Sequence, residues 1–237
     1  MVQFFNIVLY QPLFNILIFF YNVIPGNDIG IAILILTILI RIVLWPFSLQ
    51  SIKSQKALQD LQPKIEEIKR KYKGQSEKLA RATMQLYKEN KVNPFSSCLP
   101  LLIQFPFLIA VYQVFRSGLY SSSLEMLYPF ISNPGHINSI SLGLVDLAKP
   151  SIVLAVLAGL AQFVQAKMMI TKRPDLKTRG SRDEDVMAIM NKQMVYFMPL
   201  ITVMIGISLP GGLILYWFAT TLLMILQQFY SLSPKKT

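Results

Sequence analysis

Long apolar stretches dominate the pattern of hydrophobic and polar positions along this chain. Five of them are long enough, or nearly long enough, to cross a bilayer as helices: Ile29–Phe47, Phe95–Phe115, Ile152–Ile170, Met194–Leu209 and Leu213–Tyr230. The fourth is short, and the turn sequence "LPGG" joins it directly to the fifth, so we expect these two to form a helical hairpin. The pattern therefore predicts an all-α integral membrane protein with five transmembrane helices.

The basic residues assign the connections between these segments to two sides of the membrane. Of the 23 Lys and Arg residues, 11 lie between Lys53 and Lys91, seven between Lys167 and Lys192, and two in the tail. The connection 117–148 and the turn before the last helix carry none. Because short cytoplasmic loops are enriched in Lys and Arg, we expect the basic connections and the C-terminus to be cytoplasmic.

Two other segments have a different character. Residues 1–26 are apolar, but Gln11, Asn15 and Asn22 share one helical face and Pro25 follows, which favours an interfacial helix on the outer surface; a sixth span is the alternative. Residues 51–92 are rich in Lys, Glu and Gln, with apolar residues at helical spacing on both sides of a Lys73-Gly74 break. That pattern predicts a cytoplasmic helical hairpin.

The predicted organisation follows in chain order. It comprises the interfacial helix (1–26), the first span (27–50), the cytoplasmic hairpin (51–92), the second span (93–116), an extracytoplasmic loop (117–149), the third span (150–171), a cytoplasmic loop (172–193), the fourth and fifth spans (194–230) and a cytoplasmic tail (231–237).

Composition agrees with a membrane protein and argues against several other classes. Hydrophobic residues make up 53% of the chain and charged residues 15%, and the net charge of +11 predicts acidic partners without choosing among them. A single Cys and a single His exclude a disulfide framework and argue against a Cys/His metal site. No nucleotide-binding glycine loop, nucleophile elbow or zinc motif occurs, so we expect no cofactor, no metal and no enzymatic activity.

Arg41 interrupts the first span, and no Asp or Glu occurs within any of the five spans. The side chain could simply extend to the nearby cytoplasmic interface, or it could be a functional charge in a water-filled cavity. Thr37, Arg41, Trp45 and Ser48 follow helical spacing and form one stripe, which favours the cavity. Other spans also carry polar or amphipathic side chains: Gln104, Gln162, Gln165, Thr202, Tyr216, Trp217, Thr220 and Thr221.

Three stretches of the chain resemble the YidC/Oxa/Alb family of membrane protein insertases. They are "NDIGIAILILTILIRIVLWPFSLQSIKSQKALQDLQPKIEEIKRKY", "LYKENKVNPFSSCLPLLIQFPFLIAVYQVFR" and "MPLITVMIGISLPGGLILYWFATTLLMILQQF". The ordered set is specific: an Arg in the first span, a "QP" in the helical hairpin, "NP" before the second span and "PGGLILYW" opening the fifth. With the third span, the resemblance covers about residues 27–230.

The resemblance implies five membrane helices around a hydrophilic groove that is open to the cytoplasm and to lipid and closed on the outside. It implies that Arg41 attracts acidic residues in the translocated tail of a substrate, and that Thr37 and Trp217 face the groove and contact that substrate. We expect Gln104, Gln165 and Tyr216 to line the same groove. The hairpin 51–92 is implied to help recruit or admit substrate.

The function implied is that of an insertase and chaperone, which inserts newly made membrane proteins and helps them fold without ATP hydrolysis. Implied partners are nascent membrane proteins with short, often acidic translocated tails, the ribosome (transiently), the Sec translocon, the signal recognition particle receptor and membrane lipid, with the monomer as the functional unit. The expected location is the bacterial plasma membrane, in a short form without the large periplasmic domain of some relatives. The alternative functions are a small anion or solute transporter, against which the absence of an internal repeat argues, and a chaperone that does not translocate its clients.

Overall fold

Helices form most of the protein in the computed structural model, which describes residues 2–93, 99–118, 121–168 and 193–232. The α-helices are α1 (Val2–Phe5), α2 (Gln11–Val23), α3 (Ile29–Val43), α4 (Trp45–Asp60), α5 (Gln62–Lys71), α6 (Ser76–Glu89), α7 (Leu99–Gln113), α8 (Ile152–Met168), α9 (Met198–Gly206) and α10 (Gly211–Leu232). The remaining elements are π-helical turns at Asn6–Tyr10, Val114–Gly118 and Gln193–Phe197, a 3-10 turn at Ser121–Met126, and two antiparallel strands, β1 (Ile140–Ser141) and β2 (Val145–Asp146). The predicted class of a helical membrane protein is confirmed, with this small β-hairpin as an unpredicted addition.

Two helices in the described part of the chain are long and apolar enough to cross a membrane alone, Gln3–Val23 and Gly211–Ser231. Helices α3 and α4 form a third candidate span if the bent pair is counted as one. Two more helices, Ile152–Met168 and Val195–Gly206, are apolar but shorter. The number of five spans therefore stays a prediction. Residues 94–98, 169–192 and 233–237, which carry the start of the second predicted span, most of the predicted cytoplasmic loop and the tail, lie outside the described residues.

The first predicted span is not one continuous helix, so that part of the prediction is wrong. Helix α3 ends at Val43, α4 begins at Trp45, and the two axes are bent by 65°. The sequence contains the cause: Pro46 has no amide hydrogen to donate to the helix before it, and proline is tolerated in the first turn of a new helix. Arg41 consequently lies in the last turn of α3, and Trp45 is 40% exposed rather than part of a buried stripe.

The polar face of α2 is bonded to the backbone of the predicted extracytoplasmic loop. The side-chain amides of Gln11 and Asn15 each donate to the carbonyl of Met126 at 3.1 Å, and that of Asn22 donates to the carbonyl of Ser132 at 2.6 Å. The opposite, apolar face packs on α3 within the main hydrophobic core. The three polar residues thus have structural partners, while the choice between an interfacial helix and a sixth span stays a prediction.

The start of α10 is held closely against neighbouring segments. The amides of Gly211 and Gly212 donate to the carbonyls of Lys149 and Leu147, both at 2.9 Å. A Cβ atom on Gly212 would lie 2.1 Å from the ring of Phe115, so only glycine fits there without a shift. From this point α10 runs against α3, α7 and α8 and forms the centre of the helical assembly.

Helices α5 and α6 pack against each other across the turn at Lys73-Gly74. Leu61 and Ile65 are buried at the junction with α4, whereas no side chain of α6 is fully buried and Met84 is 50% exposed. The outer apolar face of this pair is therefore partly uncovered. Its assignment to the cytoplasm stays a prediction.

Candidate functional site

The side chain of Arg41 is almost completely buried, with 6% of its surface exposed. Its Nη2 donates a hydrogen bond to Oε1 of Gln227 at 2.6 Å and another to Oγ of Ser48 at 3.3 Å. The hydroxyl of Ser48 donates to the same oxygen of Gln227 at 2.7 Å. These three residues, which we call the arginine cluster, join α3, α4 and α10.

The bend at Leu44 positions the cluster. Ser48 follows Arg41 by seven residues and lies in the first turns of α4, so the change of direction keeps its hydroxyl beside the guanidinium. Gln227 also connects to the bend itself, since its Nε2 lies 3.4 Å from the carbonyl of Trp45. The amide of Gln227 therefore links both sides of the bend to α10.

Among the described residues, nothing supplies a counter-charge to Arg41. Its two side-chain partners there are neutral, and its Nε is buried without a hydrogen-bond partner in the same part of the structure. Within the described residues the ion pairs are Arg81–Glu77 and Lys149–Asp146, and neither involves Arg41. A buried cation without a carboxylate is costly, and a guanidinium can bind a carboxylate with two parallel hydrogen bonds. The site is therefore chemically suited to an incoming acidic group.

A second polar contact lies next to the cluster. Tyr216 is fully buried, its hydroxyl accepts a hydrogen bond from the side-chain amide of Gln104, and it lies near Arg41. This brings together α7, α10 and α3. The phenol oxygen adds a neutral polar atom near the guanidinium and no negative charge.

The other predicted site residues lie in different surroundings. The hydroxyl of Thr37 donates to the carbonyl of Ile33 in its own helix at 2.6 Å, so it is satisfied locally. The amide of Gln165 is 3.5 Å from the sulfur of Met224, between α8 and α10. Trp217 is half-buried. Of the six predicted residues, Arg41, Gln104 and Tyr216 are thus brought close together, and the substrate contacts of all six stay predictions.

Sequence reasoning did not single out Gln227, the strongest partner of Arg41. The available signal was a pair of amides, Gln227 and Gln228, inside an otherwise apolar segment. Two further side-chain oxygens on α10 are buried without a hydrogen-bond partner in the described part of the structure, namely Gln228 Oε1 and Ser231 Oγ. One side of α10 therefore presents polar atoms to the interior that packing among the described residues does not fully satisfy.

These features define a class: a helical membrane protein whose interior holds a buried arginine that contacts neutral polar side chains. A family model described as "60Kd inner membrane protein" matches residues 19–236, and the chain belongs to that family. The resemblance seen in the sequence motifs is thereby confirmed.

Several curated relatives are named "Membrane protein insertase YidC". The chain is 36% identical over 204 residues to that of Fusobacterium nucleatum, covering 86% of each protein, and 34% identical over 199 residues to that of Clostridium tetani, covering 84% of this chain and 79% of the relative. It is 33% identical to that of Geobacter sulfurreducens over 94% of this chain, but spans only 37% of that longer protein.

A solved structure agrees with these matches. It is described as "Active YidC insertase crystal structure with the first transmembrane domain resolved", and it superposes with a TM-score of 0.57 at 26% identity. The match covers 96% of this chain and 47% of that one. The arrangement of helices described above is therefore similar to that of a known insertase.

Proposed function

We propose that the protein is a membrane protein insertase and chaperone, which places newly made membrane proteins in the bacterial plasma membrane without ATP hydrolysis and without acting as an enzyme. The names of the relatives support the general activity. The observation that carries the mechanism is the buried guanidinium of Arg41, whose hydrogen-bond partners in the described part of the chain are the neutral side chains of Gln227 and Ser48.

The first step is entry of a short hydrophilic client tail from the cytoplasmic side. A carboxylate on that tail replaces the amide oxygen of Gln227 as the partner of Arg41. A carboxylate can accept two parallel hydrogen bonds from a guanidinium and brings the opposite charge that the amide oxygen of Gln227 lacks, so the exchange is favourable for an acidic group. Gln227 provides Nη2 of the guanidinium with an acceptor and orients the side chain while no client is present.

The second step is release of the client into lipid. Its apolar segment gains about 25 cal/mol for each Å² of apolar surface removed from water. The membrane potential adds about 2.3 kcal/mol per charge per 100 mV to the outward movement of negative charge. Docking at Arg41 therefore needs only to be transient.

The remaining assignments follow from the same proposal. Thr37, Gln104, Gln165, Tyr216 and Trp217 line the path of the client, and residues 51–92 admit it from the cytoplasm. The ribosome, the Sec translocon and the signal recognition particle receptor are its proposed protein partners, and the monomer is the working unit. The N-terminal helix lies on the outer surface and the C-terminus is cytoplasmic.

Reconstitution tests the activity directly. The purified protein in liposomes, without nucleotide, should protect the acidic tail of a small single-span client from external protease. Liposomes without the protein give the background level of protected tail, and Arg41→Ala should lower the protection toward this level. Protection that requires ATP, or that equals the background with the wild-type protein, would contradict the proposal.

A further inference from the structure

The β-hairpin in the loop 117–149 carries exposed leucines at its tip. Leu142 is 70% exposed and Leu144 is 84% exposed. The turn is closed by the amide of Leu144, which donates to the carbonyl of Ser141 at 2.9 Å, and Leu142 and Gly143 have φ angles of 51° and 70°. Such turns favour Asn-Gly, because a branched side chain at positive φ is strained. Neither backbone preference nor packing within the chain explains a leucine at position 142.

The hairpin is fixed to the first turn of α3. Asp28 caps that helix by accepting from the amide of Ile31 at 3.0 Å, and it also accepts from the hydroxyl of Ser141 at 2.8 Å and from the amide of Leu142. The space where Gly30 would carry a Cβ is occupied by Ser141, whose Oγ would lie 2.0 Å from it. The tip is thus held against the helix end by direct contact.

This contact places the tip at the end of an exposed apolar stripe. Gly30, Leu34, Ile38 and Ile42 recur every four residues and share one face of α3, and the last three are exposed to increasing extents, from 38% to 46% to 66%. In a membrane protein an exposed aliphatic stripe on a spanning helix faces lipid. The hairpin covers the Gly30 end of this stripe, so its leucines continue the lipid-facing surface beyond the helix.

The charges of the loop identify which part of the lipid is contacted. Residues 117–148 contain no Lys or Arg, and their acidic residues are Glu125 and Asp146. Attraction to anionic headgroups is therefore absent, and the exposed chemistry is aliphatic. The hydrocarbon boundary of the bilayer fits this surface, whereas an acidic or phosphate-bearing partner does not.

We propose that Leu142 and Leu144 insert into the acyl-chain boundary of the outer leaflet and anchor α3 at a defined depth. The leaflet follows from the predicted orientation of the loop. Since Arg41 lies near the other end of the same helix, the anchor also sets how far the guanidinium lies from the outer surface. The anchor does not depend on the proposed insertase activity.

Fluorescence in the full-length protein tests this proposal. In a Cys98→Ser background, Leu144→Cys carries an environment-sensitive nitrobenzoxadiazole probe, and His136→Cys, an exposed site in the same loop, is the matched control. In phosphatidylcholine liposomes the probe at position 144 should emit at a shorter wavelength than the probe at position 136. Lipids that carry a nitroxide high on the acyl chain should quench it, and iodide in the water should not. Equal iodide quenching at the two positions would overturn the proposal.

Two further measurements keep the result specific. A blue shift that appears only in native membranes, or that fades as the protein is diluted in lipid, would mean that another protein or a second copy covers the tip, and would also overturn the proposal. Leu142→Asn suits the turn but removes one leucine. It should reduce nitroxide quenching at position 144 while hydrogen exchange of the hairpin amides stays unchanged; unchanged quenching would show that Leu142 does not contribute.

Discussion

The amide oxygen of Gln227 lies 2.6 Å from Nη2 of Arg41, although 186 positions separate the two residues in sequence. In the proposed mechanism, this contact makes Gln227 the internal partner that an acidic client displaces. It also connects α3 to α10 at the end of α3 where α4 bends away.

Replacing Gln227 by Leu should increase the discrimination between acidic and neutral client tails. Arg41 then lacks its closest acceptor, so an incoming carboxylate no longer competes with the amide of Gln227, at a cost in stability of about 1–3 kcal/mol for the unsatisfied donor. The measurement is the ratio of protease-protected tail for an acidic and a neutral client. Gln228→Leu is the matched control, because Gln228 is equally buried and its Oε1 has no hydrogen-bond partner among the described residues. Equal ratios for the two variants would argue against competition by Gln227.

Changing Arg41 should affect clients according to the charge of their tails. Arg41→Lys keeps the charge and should retain most insertion, although it loses the planar fork. Arg41→Ala should impair acidic tails most, and Arg41→Glu should impair them further by repulsion. An Asp→Lys change in the client tail should make its insertion independent of Arg41. If Arg41→Ala and Arg41→Glu insert acidic and neutral clients as well as the wild type does, Arg41 has no docking role.

Adding a methyl group at Gly212 should destabilise the assembly at the start of α10. The new Cβ would lie 2.1 Å from the ring of Phe115, and overpacking of this kind costs about 1–3 kcal/mol. The measurement is the thermal unfolding midpoint of Gly212→Ala in detergent. Combining it with Phe115→Leu should recover part of the loss, because the smaller side chain leaves room. If the double variant is less stable than the two single changes together predict, contact with the ring of Phe115 is not the cause of the lost stability.

Acidification should loosen the β-hairpin of the outer loop. The hydroxyl of Ser139, at 2.7 Å, and the ammonium group of Lys149, at 3.0 Å, hold the pKa of Asp146 below its usual range. A carboxyl group whose pKa is lower in the folded than in the unfolded protein stabilises the fold at pH values above its unfolded pKa, about 3.9. This stabilisation is lost as the pH falls further. Hydrogen-exchange protection of residues 139–147, taken relative to the intrinsic exchange rate at each pH, should therefore fall below about pH 4, the range of that unfolded pKa.

Asp146→Asn supplies the control for the pH experiment. Asn cannot titrate, so the hairpin of this variant should exchange faster at neutral pH and should show a smaller acid-dependent step, because Asp28, which also bonds the hairpin, still titrates. A step of unchanged size in Asp146→Asn would assign the effect to another group of the loop.

Much of this protein follows from its sequence, because a bilayer imposes strict local requirements. Long apolar stretches must become helices to satisfy their backbone groups, so the membrane class and the approximate helices are readable from hydropathy alone. An arginine in such a stretch stands out without any knowledge of its neighbours, and Arg41 was found in this way. The ordered motifs around it were also sufficient to indicate the family.

Tertiary structure decided what surrounds that arginine. The bend after Val43 separates Trp45 from the stripe to which helical spacing assigned it and keeps Ser48 at the guanidinium. The partner role of Gln227 depends on how α10 packs against α3, a relation between distant segments that no local pattern contains. The same holds for the contact of Ser141 with Gly30. Local periodicity determines which side chains share a face of a helix, but only the packing of whole helices determines what each face meets.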